Sequence, residues 1–66
     1  MANTLLTVYL IQTPHATFLG IVSTPAGHDA FGAALQYWGT SAKYKEVSHE
    51  EAQEMGRNHS IYFLAV

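Results

Sequence analysis

The residues with the widest chemical reach in this sequence are its four histidines, His15, His28, His49 and His59. Imidazole titrates near neutral pH and ligates metals, so histidines grouped with carboxylates or cysteines would announce acid/base or zinc chemistry. The spacing does not group them. No histidine has a second ligand at i, i+4 on a helix, no His-Glu-x-x-His run occurs, and the chain has no cysteine. His28-Asp29 and His49-Glu50 are adjacent pairs, and neighbouring residues on a helix point in different directions. Ser23, Thr24, Ser48 and Ser60 each have a sufficient role as a cap, turn or strand residue. The glycines stand singly, so no loop is built to cradle a phosphate. The expectation is a protein that is not an enzyme, with no catalytic residue, no metal site and no cofactor.

Recognition chemistry is better represented. Tyr37 and Tyr44 offer large contact area at small entropic cost. Glu46, Glu50, Glu51 and Glu54 concentrate four of the five carboxylates in one segment. Together these six residues are the candidate partner-binding set, an aromatic and acidic surface suited to a basic protein. Lys43, Lys45 and Arg57 are the only basic residues and formal net charge is −2, too little positive charge to hold a run of phosphates, so nucleic acid is not an expected partner.

The elements that must position these groups follow from periodicity. Thr4 to Gln12 is apolar on both alternating sets and reads as a central strand. Thr13-Pro14-His15-Ala16 is a turn, and Thr17 to Ser23 is a second strand at hairpin distance, in which Gly20 marks a bulge or a close approach. Ser23-Thr24-Pro25 has the chemistry of a helix start. Ala30, Phe31, Ala34, Leu35 and Trp38 then recur on one helical face until Gly39. Ala42 to Val47 is a more polar strand expected at an edge, where its lysines discourage further pairing. Ser48-His49-Glu50-Glu51 is a capping box opening a short helix through Met55. Ser60 to Val66 is a last strand, apolar on both sides and so expected inside the sheet.

The expected fold is thus α+β, in ββαβαβ order: a mostly antiparallel sheet of about four strands with two helices packed on one face, leaving a face with Tyr9 and Tyr62 open for contact. One compact domain over residues 1–66 is all that 66 residues can build, because a chain this short hides only about 60% of its unfolded surface. With 48% hydrophobic and 12% charged residues, packing rather than disulfides must hold it. The apolar run Leu5 to Ile11 falls far below the roughly 20 residues needed to cross a bilayer and lacks the flanks of a leader peptide, so no membrane partner is expected. Absence of cysteine fits a cytoplasmic, reducing compartment.

In size, mild acidity, lack of cysteine and ββαβαβ order, the whole chain resembles the small phage-encoded inhibitors of host defence, among them the anti-CRISPR proteins. The resemblance implies an inhibitor that occludes a larger, nucleic-acid-binding effector, with Glu46, Glu50, Glu51 and Glu54 set against a basic surface of a host nucleoprotein complex. Two alternatives follow from the residues themselves: a self-associating structural or accessory subunit, as a homodimer, from the low charge and two-faced strands, and a histidine-based metal or hydrolytic protein.

Overall fold

The computed structural model describes residues 3–66 and is an α+β domain in ββαβαβ order. Its elements are β1 (Thr4–Gln12), β2 (Thr17–Pro25), α1 (Ala30–Trp38), β3 (Lys43–Val47), α2 (His49–Met55) and β4 (Ser60–Ala65). Strand order across the single sheet is β3-β1-β2-β4. β1 pairs antiparallel with both β2 and β3, and β2 pairs parallel with β4, so the sheet is mixed.

The β1-β2 hairpin forms first in the logic of the sequence, because its turn is locally determined. The Thr13 hydroxyl oxygen accepts the Ala16 N–H at 2.9 Å, and the Thr13 N–H reaches the Ala16 carbonyl at 2.8 Å. The register from Thr4↔Pro25 to Gln12↔Thr17 is continuous, so Gly20 marks no bulge. What approaches it is a side chain. A Cβ on Gly20 would lie 2.8 Å from the Trp38 ring and 2.6 Å from Ile11 Cδ1. Gly20 is therefore the floor on which Trp38 rests.

β2 extends to Pro25, which moves the start of α1. Thr24 is a strand residue, paired with Leu5 and 1% exposed, rather than the cap of a helix. A turn follows, in which His28 N–H bonds the Pro25 carbonyl at 3.1 Å and Gly27 takes φ 87°. Asp29 is the N-cap residue, and the helix ends at Gly39 with φ 96° as the sequence requires. The second helix starts as expected: Ser48 Oγ accepts the Glu51 N–H at 3.1 Å and a Glu51 carboxylate oxygen accepts the Ser48 N–H at 3.4 Å.

The two helices lie on opposite faces of the sheet, not on one. α1 covers Tyr9, Ile11, Phe18 and Val22 with Ala30, Ala34 and Trp38, whereas α2 covers Val8, Leu19 and Val47 with Ala52 and Met55. Strand order explains this. The connection β2-α1-β3 runs across the sheet one way and β3-α2-β4 runs back the other way, so crossovers of one hand must use opposite faces. Tyr9 and Tyr62 therefore belong to the α1 side. Tyr9 is buried there, beside Phe31 and Tyr44, and is not an open contact residue. The same topology places β4 at an edge instead of the interior, while β3 is at the other edge as expected.

Substituting Gly20→Ala forces the Ile11 side-chain end and the Trp38 ring to shift, and is expected to destabilise the domain by about 1–3 kcal/mol. Urea unfolding of Gly20→Ala, Trp38→Leu and the double variant checks this. The two changes should be less than additive, because shortening Trp38 removes its share of the clash and leaves only the end of the Ile11 side chain to move.

Candidate protein-binding surface

The two faces are covered unequally. The α1 face carries an aromatic layer in which Phe31 meets Tyr44 edge-on at 5.6 Å and Phe18 meets Trp38 at 5.8 Å and Tyr62 at 5.1 Å. Such tilted and edge-on contacts suit the ring quadrupoles. Tyr44 adds a polar tie: its hydroxyl donates to the Gly39 carbonyl at 2.6 Å, pinning the end of α1 to β3.

The α2 face is sealed only where Ala52 and Met55 reach it. Register places Leu6, Val8 and Leu10 of β1, Leu19 and Ile21 of β2, and Ile61 and Phe63 of β4 on this side. Val8 and Leu19 are buried, but Leu6, Ile61 and Phe63 are half or more exposed. Between α2 and these strands runs an open groove of about 290 Å³, floored by Val8, Leu19 and Ile21 and bounded by Leu6, Ile61 and α2. Each half-exposed side chain leaves on the order of 1 kcal/mol of burial unrealised, which a bound partner would recover. Where β1 extends beyond β3, the His49 ring Nε2 bonds the Leu6 carbonyl at 3.1 Å and fixes the start of α2 over the strand. His59 is bound to its own helix end, its Nδ1 2.9 Å from the Met55 carbonyl. Among the described residues, no three His, Cys, Asp or Glu side chains converge on a common point.

The six residues expected to bind a partner do not form one surface. Glu50 and Glu54 stand exposed on α2, one turn apart, while the residues of that helix that line the groove are His49, Ala52 and Gln53. Glu51 neighbours them but is engaged in the capping box. Glu46 pairs with Tyr9 and so faces the α1 side. Tyr37 is exposed on α1, across the sheet from α2, with its ring edge-on to Trp38 at 5.1 Å. Tyr44 is partly buried in the core and hydrogen-bonded, so its role is structural. Leu6, Ile61 and Phe63 were not singled out by the sequence reading. Their signal lies in strands apolar on both alternating sets, more apolar surface than a short second helix can cover.

No helix among the described residues is long and apolar enough to cross a membrane. The fold and surface define a small α+β domain in which the α1 face holds the larger buried cluster and leaves Leu5 and Tyr62 exposed at its margins, while the α2 face buries only Val8, Leu19 and Val47. No protein-family model, curated protein or solved structure matches the chain.

Burial, reinforced by the charges of Glu46 and then Asp29, raises the Tyr9 hydroxyl above its ordinary value of 10.0, and burial raises that of Tyr44. A raised folded-state value means that stability is fully present below the unfolded value and is lost as pH rises above it, because the unfolded chain releases its proton first. Urea midpoints measured from about pH 8 to about pH 11 should hold and then fall near the upper end. Tyr9→Phe should fall less steeply over that range.

Proposed function

We propose that this domain is a non-catalytic protein-binding module that inhibits a larger effector by covering a surface the effector needs. The observation that supports this reading is the groove beside α2: apolar at its floor, open to solvent, and bounded on the helix side by His49, Ala52 and Gln53, with the carboxylates Glu50 and Glu54 exposed on the same helix. A contiguous exposed apolar patch rimmed by polar groups suits protein recognition. The complementary partner carries apolar anchors that enter between Leu6, Ile21 and Ile61, with lysine or arginine at the side that meets α2. Such a partner agrees with the basic nucleoprotein surfaces implied by the resemblance to phage-encoded inhibitors of host defence. Contact is centred on Glu50, Glu54 and the groove, while Tyr37 and Glu46 lie outside it.

The test uses a partner captured from cells on the immobilised domain and then purified. Glu50→Lys/Glu54→Lys is expected to weaken binding about tenfold or more and to reduce its dependence on salt. Leu6→Asp, at a half-exposed position, is expected to weaken it further with the circular dichroism of the fold retained. Unchanged affinity in both variants would remove this face from the account. Tyr37→Ala should leave affinity unaltered.

A further inference from the structure

The two open edges of the sheet are chemically unlike. β3 presents Lys43, Lys45 and Glu46 along its length, the arrangement that keeps an edge from pairing. β4 reads Ser-Ile-Tyr-Phe-Leu-Ala, with no charge and no proline, and among the described residues it pairs only with β2. An uncharged strand whose outer N–H and C=O groups lack partners is a template for another strand.

The register of that pairing can be derived. Val66 N–H bonds the Ser23 carbonyl at 2.9 Å, so the alternation of a parallel ladder turns the main-chain groups of Tyr62 and Leu64 toward β2 and those of Ile61, Phe63 and Ala65 toward the open edge. We propose that β4 pairs antiparallel with β4 of a second copy, about a two-fold axis through Phe63, to make one continuous sheet. In this register Phe63 faces Phe63 of the second copy, and Ile61, Phe63 and Ala65 each donate and accept a ladder bond. A shift of the axis to Tyr62 or Leu64 leaves one of these residues unpaired.

Side-chain size fits the same register. Ile61 stands opposite Ala65, and Tyr62 opposite Leu64, so a larger side chain meets a smaller one at each step off the axis. No like charges meet, as they would if two β3 edges paired. Tyr62 and Phe63 are 54% and 63% exposed, Ile61 52% and Val66 60%. Covering these flanks in both copies hides up to roughly 1,000 Å², at the threshold for a specific interface and fitting a micromolar rather than an obligate dimer. A two-fold axis perpendicular to the sheet keeps both α2 grooves on one side of the dimer. The pairing does not depend on what the grooves bind.

Sedimentation equilibrium of the full chain from about 1 to about 100 µM should show a monomer–dimer equilibrium, the dimer at twice the 7.3 kDa of one chain. Phe63→Lys, at an exposed position, sets two ammonium groups on the axis. It should raise the dissociation constant at least tenfold with the circular dichroism of the fold retained, while Glu50→Lys/Glu54→Lys leaves it unchanged. The cysteine-free background gives a second readout independent of affinity. Opposed residues of a hydrogen-bonded antiparallel pair have Cα atoms about 5.5 Å apart, within the span of a short bis-maleimide, so Phe63→Cys should cross-link to a covalent dimer and Ile61→Cys, displaced four residues from its own copy, should not. A monomer throughout the range without cross-linking of Phe63→Cys overturns the proposal. So does a dimer unaffected by Phe63→Lys, or one in which Ile61→Cys links as readily as Phe63→Cys.

Discussion

The β1-β2 hairpin is apolar on both sides, and every other element is placed by the need to cover it. Ile11 and Val22 on one side and Val8 and Leu19 on the other must all leave water. A sheet of this kind needs a layer above and a layer below. The chain supplies one helix to each, by crossing the sheet in one direction over the α1 side and returning over the α2 side. This is why the sheet carries its middle strands in the order β1-β2 and sends β3 and β4 to opposite edges.

The two covers are not equivalent. α1 brings Ala30, Ala33, Ala34 and Trp38 to its face, and Tyr44 contributes a hydroxyl that holds the helix end in place. α2 is shorter and brings mainly Ala52 and Met55. Its position depends on polar contacts at its ends, the Ser48–Glu51 capping box and the His49 bond to β1, more than on area. An alanine and a methionine cannot shield a four-strand face, so Leu6, Ile61 and Phe63 stay in water. The same economy that limits the core of a small domain thus leaves apolar surface in contact with water.

Much of this was legible in the residues. The hairpin turn, the capping box of Ser48 and the edge position of lysine-bearing β3 all rest on local chemistry, and each is present; of the α1 stripe, Ala30, Ala34 and Trp38 pack on the core, while Phe31 stays partly exposed and Leu35 joins neither cluster. What local chemistry could not supply was strand order. Without it, periodicity alone places the two helices on one face and β4, apolar on both sides, in the interior. Once β3 and β4 are known to flank the hairpin, opposite faces follow from handedness. Thr24-Pro25 misled for a related reason: its capping chemistry is real, but pairing with Leu5 extends β2 through it. The acidic segment divided because Glu46 precedes α2 on a strand whose alternation turns it to the other side.

The most direct test of unequal cover is the solvent accessibility of individual methyl groups, measured by nuclear magnetic resonance with a soluble paramagnetic agent. Leu6 and Ile61 methyl signals should broaden strongly, those of Ile21 less, and those of Ile11, Leu19 and Val22 hardly at all. Equal protection of Leu6 and Ile11 would mean that the α2 face is sealed after all, and would contradict the account.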